Sequence, residues 1–591
     1  VQRVLTVAVP ATALTVVAWW SGGYFPRSWG ALLLLGAIGL AAVGIVAETV
    51  EVGRRTAALV GALFALAGWQ LVTTAWAVAP DAPLLEAERT LIYAMAVLVA
   101  LLAVPSRRAG DLVLAVLAGS GATTVTGLLA HALGSGVPDE RLELPVGYPN
   151  AAGIVAATAL VLGLGLATGG WRLGRALGGG LAAPAAVALA LSLSRGSVLA
   201  AALGLLVLCV TTAAPRGLAT IALVGASGLL GVGVVSATGR LQDDGVAPRE
   251  LVALVAVAIL GVAGGWLATR RAPAEVTDDA GFRWRRLVVA GSAVLALGVV
   301  AVGAYEVRQS RSAPSTLQGV GAPDRLLSTS TSSRGDYWDV AARMVERHPL
   351  GGEGAGGFTR VWLRERPALL FVRDAHNLYL ETLAELGPVG LALLLVALGT
   401  PLVARGAAAV ADGRAAIAAY VALVAHAALD WDWELPAVTL CALLLGVALV
   451  RHGPPEPPRA LTAPARVLVL GGAILLAVAS IGVHVGNGAS ADASDLLDRG
   501  DAAAARRAAV RAHRFRPWAA EPWELMGEAE LALGHVPEAR VDLRHAIRRD
   551  PRSWSAWLSL GAASVERERA DAIARARALN PLAPEVATHN P

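Results

Sequence analysis

Apolar runs of about 17 to 25 residues recur along the whole chain, and that is the length a helix needs to cross a hydrocarbon core. They fall near residues 4–20, 29–47, 56–76, 88–104, 110–132, 150–168, 174–193, 196–213, 216–236, 249–269, 285–305, 377–404, 413–429, 434–451 and 464–485. The pattern predicts an all-α, polytopic membrane bundle of about 12–15 transmembrane helices. With 55% of 591 residues hydrophobic and a mean hydropathy of +0.59, only two segments are polar enough to fold in water. The runs between 174 and 236 follow one another so closely that the helix count there is open by one or more.

Charge narrows the partners. The formal net charge is only +4, there is no Lys, and the arginines are spread over loops rather than gathered on one face, which excludes nucleic acid as a partner. Cys209 and Cys441 both fall inside apolar runs, where a thiol is a small hydrophobe, so no disulfide framework or Cys-based metal site is expected. Arg3 and the apolar run to Trp20 lack an A-x-A-like cleavage pattern and read as a retained helix.

Short cytoplasmic loops carry an excess of Arg. With the N-terminus inside, the inner loops hold Arg54, Arg55, Arg107, Arg108, Arg172, Arg175, Arg216, the group from Arg270 to Arg286, Arg405, Arg414, Arg451, Arg459 and Arg466. The outer loops are acidic or mixed, as in DAPLLEAE, PDERLELP and DWDWE. This orientation puts Ser194–Ser197, the polar segment 306–376 and everything after residue 485 on the outer side, and it needs an odd number of helices before the central segment.

The central segment has a Ser/Thr cluster at 328–333, an amphipathic helix in RGDYWDVAARMVERHP, a Gly-rich turn, GGEGAGGF, and a second helical piece before His376. In the tail, Pro517 and Pro551, Ala505 and Ala539, Ala512 and Ala546, and Trp523 and Trp557 are each separated by the tetratricopeptide period of about 34 residues. The last unit is about four residues shorter before Ala576 and Pro581, giving two to three tetratricopeptide-like helix pairs.

Six features stand out. His376, in DAHNLYLETLAELGPVG, opens an apolar helix; an imidazole with an unperturbed pKa near 6.5 can take a proton from a hydroxyl, and it serves equally as an interfacial hydrogen-bonding residue. Asp374 is placed to orient that ring or to cap the helix, and Asn377 adjoins it. Arg195, in LSLSRGSVLA, lies between two apolar runs, where insertion costs about 2.5 to 3.5 kcal/mol, so it is either functional or snorkels to headgroups from a short turn. Arg334, at the start of the amphipathic helix, suits a phosphate or is a solvated surface residue.

Asn150, in GYPNAAG, suits an N-cap. His426, Asp430, Asp432 and Glu434 cluster with Trp431 and Trp433 in HAALDWDWELP; the tryptophans fit a membrane-interface belt, and without a second His at i+4 the metal signal is weak. The Gly-rich turn can bring backbone N–H groups to a phosphate but lacks the Lys of a P-loop, which excludes cytosolic nucleotide hydrolysis.

In this order, GYPNAAG, LSLSRGS, SSRGDYWDVAARMVERHPLGGEGAGGF, DAHNLYLETLAELGPVGL and HAALDWDWELPA resemble the O-antigen ligase and O-antigen polymerase superfamily of bacterial membrane glycosyltransferases, over roughly residues 30 to 450. The resemblance implies a metal-independent, cofactor-free transfer, at the outer face of the bacterial cytoplasmic membrane, of a glycan from undecaprenyl diphosphate to a hydroxyl of an acceptor glycan or glycolipid. It implies His376 as the activating base and Arg195 and Arg334 as diphosphate ligands, with Asn377, Asp374, Asn150, His426 and Asp430 in support. The expected organisation is a transmembrane bundle at 1–305, an extracytoplasmic catalytic loop at 306–376, further transmembrane helices at 377–485 and repeats at 489–591. Relatives usually have about twelve helices, so the runs at 249–269 and 285–305 and the tail are departures, the tail being a docking surface for a protein or a long glycan. Ligase and polymerase share these motifs. A lipid or polysaccharide transporter or flippase, with intramembrane Arg, and a scaffold organised by the repeats are the readings from other classes.

Overall fold

A computed structural model describes residues 2–133, 141–212, 214–237, 248–271, 334–404 and 406–587. The expected all-α architecture is present. Fourteen of the fifteen apolar runs coincide with helices: α1 (Gln2–Trp19), α2 (Trp29–Val46), α3 (Arg54–Val72), α4 (Ala82–Ala103), α5 (Ala109–Ala132), α6 (Pro149–Ala167), α7 (Arg172–Leu191), α8 (Arg195–Thr212), α9 (Pro215–Ala237), α10 (Pro248–Arg270), α13 (Leu378–Gly399), α14 (Ala411–His426), α15 (Pro436–His452) and α16 (Ala463–Asp498). The crowded region from 174 to 236 resolves into three separate helices, α7 to α9. The run at 285–305 and the Ser/Thr cluster at 328–333 lie outside the described residues.

Among the described residues, ten helices are long and apolar enough to cross a membrane, with Thr6–Trp19 and Pro436–His452 as shorter apolar ones. α4 carries Glu86, Glu88 and Arg89 within its first turns, and α14 has only 16 residues. Every residue of α6 is buried, which is why its sequence is apolar on all sides. α6 meets α7 through Gly163 and Gly178; a Cβ on Gly163 would stand 2.6 Å from the Gly178 carbonyl oxygen, so the two backbones touch, as small residues permit in membranes. α16 turns Val467, Leu468, Leu475 and Val478 outward, a surface that lipid accommodates.

The chain alternates between the two ends of the bundle. At one end the loops after α2 and α15 form a short antiparallel strand pair, β1 (Thr49–Glu51) with β2 (Pro458–Ala460), an element the apolar pattern gives no sign of. The Glu456 carboxylate there accepts from the backbone N–H groups of Gly53, Arg55 and Thr56, satisfying the opening of α3. Residue 271 lies at this strand end and residue 334 at the other.

At the other end lie α11 (Arg334–Arg347) and α12 (Phe358–Glu365), with the Gly-rich turn between them. Their apolar faces bury Tyr337, Trp338, Val340, Met344, Phe358 and Trp362 in a small core of their own. Beyond α16 come five helices of 10 to 14 residues, α17 (Ala502–Phe515), α18 (Glu521–Ala532), α19 (Val536–Arg549), α20 (Trp554–Ala563) and α21 (Glu566–Leu579), then a final turn, α22 (Pro584–Ala587). Ala505, Ala539, Ala546 and Ala576 are fully buried where consecutive helices approach.

Candidate active site

The first turn of α6, the first turn of α8, the loop 427–435 and the start of α11 converge on Asp430, whose side chain is completely buried. Asp430 Oδ2 accepts from Arg334 Nη2 at 2.7 Å and from Asn150 Nδ2 at 2.5 Å, and Oδ1 accepts from the Tyr148 hydroxyl at 2.8 Å. Asn150 Oδ1 accepts from Arg141 Nη2 at 2.8 Å, and Arg141 Nε donates to the Ser192 carbonyl at 3.0 Å. Ser197, in the first turn of α8, donates to the Asn150 carbonyl at 2.9 Å. Burial raises the Asp430 carboxyl pKa, but Arg334, His376 and His426 outweigh it and hold the group below the ordinary value, so it stays ionised.

Asn150 is therefore not the N-cap of α6. Tyr148 occupies the cap position, and the Asn150 amide joins three chain segments instead. Arg195 opens α8 beside Gly196, where a Cβ would stand 3.2 Å from His426 Cε1. His426 Nε2 lies 2.9 Å from Asp432 Oδ2, both residues about 1% exposed, so this pair ties the end of α14 to the loop that carries Asp430. Burial pushes the Asp432 carboxyl upward, against the opposing pull of His426.

His376 is half-buried and has a φ of +57°, the left-handed region that non-glycine residues seldom adopt. Its Nδ1 is 3.0 Å from the Asp374 carbonyl oxygen. A carbonyl only accepts, so Nδ1 carries the proton and Nε2 is the basic nitrogen. The ring lies 5.1 Å from that of Tyr337, which meets Trp362 edge-on at 4.9 Å. Burial lowers the His376 pKa from its usual 6.5; the charge of Asp430 opposes this and that of Arg334 adds to it.

Asp374 orients the ring through its backbone, while its carboxylate turns away. Helix capping falls to Asn377, whose Oδ1 accepts from Tyr379 N at 3.1 Å and Leu380 N at 3.0 Å. The Asp374, Glu381 and Glu434 carboxylates come within 4.8 Å of one another, all buried. This is the one group among the described residues with the composition to hold a cation. Burial, then Glu434, push the Asp374 carboxyl well above its usual range, so a shared proton also satisfies it. Arg89 grips Glu434 with two hydrogen bonds of 2.6 Å and also meets Glu86.

Trp431 and Trp433, expected as an interface belt, pack around these polar groups. Trp431 contacts Tyr148 at 4.7 Å and Tyr24 at 5.3 Å, and Trp433 lies under the Arg89 guanidinium at 5.4 Å. The Gly-rich turn is likewise engaged from within. The N–H groups of Gly356 and Phe358 both donate to the Glu385 carboxyl oxygens at 2.8 Å, so an internal carboxyl group takes the place expected for a phosphate. Gly387, at φ +65°, lets the chain pass Leu350, whose carbonyl oxygen would stand 2.1 Å from a Cβ.

Sequence reasoning missed Arg89, Arg141 and Tyr148. Arg89 sits inside an apolar run, which is the usual signal for a functional intramembrane charge, and Tyr148 lies within the motif GYPNAAG. For Arg141, in a loop of mixed charge, the sequence offers no signal.

The fold and this cluster define an all-helical, multi-pass membrane protein with an arginine, histidine and carboxylate site at one end of the bundle. The family model of the O-antigen ligase domain matches residues 250–395, which include most of α10, α11, α12, His376 and most of α13. No curated protein matches the chain. The domain supports the superfamily resemblance carried by the motifs, and with it a membrane glycosyltransferase-like enzyme of the O-antigen ligase or polymerase type that acts on lipid-linked glycans.

Proposed function

We propose that the protein transfers a glycan from undecaprenyl diphosphate to an acceptor hydroxyl at the outer face of the cytoplasmic membrane, without a metal. His376 Nε2 takes the proton of the acceptor hydroxyl while its oxygen attacks the anomeric carbon. The bond from that carbon to the diphosphate oxygen breaks, and undecaprenyl diphosphate leaves. Arg334 and Arg195 hold the diphosphate and balance the charge that develops on it, as fixed guanidinium groups do. Asp430 and Asn150 set the position of Arg334; the His426–Asp432 pair sets the turn that carries Arg195.

The observation that carries this reading is His376 with Nδ1 tied to a carbonyl and Nε2 left basic, within reach of the charges of the Arg334–Asp430 pair. The Arg-rich loops at the strand end favour that end as cytoplasmic. The repeat-like helices then lie on the outer side of that membrane.

The test is His376→Ala in cells whose own copy of the gene is deleted. Surface glycan should vanish while the protein stays in the membrane; glycan at the normal level sinks the proposal. The lipid-linked material that accumulates decides the reaction: full-length polymer indicates a ligase, single repeat units a polymerase.

A further inference from the structure

The tail helices are joined to the loop that carries His376 by buried polar contacts that recur with the period of the tail. Arg516, Asp550 and Asn580 each precede a proline at the end of a helix pair, and all three are buried, at 6%, 4% and 1% exposure. Arg516 reaches back to Ser490 of α16 at 3.1 Å. Asp550 and Asn580 instead face α12. Arg360 Nη2 donates to Asp550 Oδ2 at 2.5 Å, and Arg366 Nη2 donates to Asn580 Oδ1 at 2.8 Å. Six residues of helical rise separate the two arginines by roughly 9 Å, within the usual 8–10 Å spacing of packed helices, so two successive junctions meet two successive arginines. The crevice between the surfaces, lined by Val78, Arg360, Val361, Arg364, Arg552 and Trp554, has a volume of about 20 Å³, room for one water.

From α12 the contacts continue to His376. Arg366 Nη1 donates to the Leu370 carbonyl at 2.9 Å, and Trp362 Nε1 donates to the same oxygen at 3.0 Å. Thr359 Oγ1 donates to the Arg373 carbonyl at 2.8 Å. The segment 366–376 therefore hangs from α12 at two carbonyls, and α12 is held by Glu385 of α13 at its first residue and by the tail through Arg360 and Arg366. Trp362 supports Tyr337, and Tyr337 supports the imidazole. A third tie joins the tail to the bundle itself: the Asp81 carboxylate accepts from Ala520 N at 2.7 Å, at the opening of α18, where a helix N-terminus favours an anion.

We infer that Asp550 and Asn580 are positioning residues for the transfer reaction: the tail clamps α12 and so holds the backbone of residues 366–376, and with it the left-handed conformation at His376. This rests on the reading of His376 as the base. The tail is then part of the active site's support, whatever else its outer surfaces bind.

The experiment compares Asp550→Arg, Arg360→Asp and the double exchange Arg360→Asp/Asp550→Arg, with Asn580→Ala and Asn580→Asp as a second pair, all in the full chain in cells lacking the native copy. Surface glycan should fall at least tenfold in each single charge reversal, at equal membrane protein, and return to within threefold in the double exchange. Asn580→Asp, which keeps an acceptor for Arg366, should transfer and Asn580→Ala should not. Hydrogen exchange of residues 366–376 in the purified chain should quicken in the impaired variants and recover in the exchange pair. Unchanged exchange, or quickened exchange with full transfer, overturns the inference. Full transfer by His376→Ala overturns the reading of the base instead, and the exchange measurement still decides the clamp.

Discussion

The guanidinium of Arg334 and the carboxylate of Asp430, 96 positions apart in sequence, lie 2.7 Å apart at the start of α11, with the carboxylate fully buried. Because Asp430 also takes the Asn150 amide and the Tyr148 hydroxyl, its removal takes a fully buried anionic acceptor from three donors at once. Asp430→Asn should cost about 1.5 to 3 kcal/mol of stability, the usual scale for hydrogen bonds to a charged group. Thermal unfolding in detergent checks this; a loss under about 1 kcal/mol contradicts the structural role.

The pH dependence of transfer follows from His376. A base must be neutral to act, and burial lowers its pKa below 6.5, so the rate should rise with pH and level off with an acid limb below pH 6.5. Arg334 contributes to that lowering. In Arg334→Gln the residual rate should show the limb displaced to higher pH, and a limb that stays in place or moves down contradicts the assigned proximity.

Asn377 is read as a cap and not as a reacting group. Asn377→Ala should cost about 1 kcal/mol, typical of a lost N-cap, and Asn377→Asp should restore it. A collapse of transfer in Asn377→Asp, with stability intact, would assign the amide a part in the chemistry.

The buried Asp374 carboxyl supplies a separate test. Its folded pKa lies well above the unfolded value of about 3.9. The stability from its protonated form is complete below that unfolded value and is lost as pH rises through the folded one. Asp374→Asn should flatten this fall in melting temperature with pH, and chelation by EDTA should leave the transfer rate unchanged. A rate that collapses with EDTA and returns with a divalent cation assigns Asp374, Glu381 and Glu434 to a metal.

Much of the bundle was legible because lipid imposes one length and one hydropathy on every spanning helix, so α1 to α10 and α13 to α16 can be read from composition alone. The α11 helix was legible from the spacing of Trp338, Ala341, Met344 and Val345. The site was only partly so. Asn150, Arg195, Arg334, His376 and Asp430 carry the chemical types the reading needed, yet nothing local tells that Asp430 receives Arg334 and Asn150 together. Nor does spacing show that Glu385, within the apolar run of α13, fills the Gly-rich turn. Those partners are set by which helix ends meet in three dimensions, and Arg141 is found only that way.

α16 runs without a break for 36 residues, from the strand end through the bundle into the tail, roughly 54 Å at 1.5 Å per residue. About 30 Å of that suffices for a bilayer, so the remainder is a stiff mast. A flexible tether would leave the tail free in height and heading; a mast fixes both. Each residue inserted into it would turn the tail by about 100°, as 3.6 residues per turn require. The register of a lipid-facing helix thus sets the azimuth at which Asp550 and Asn580 arrive at α12.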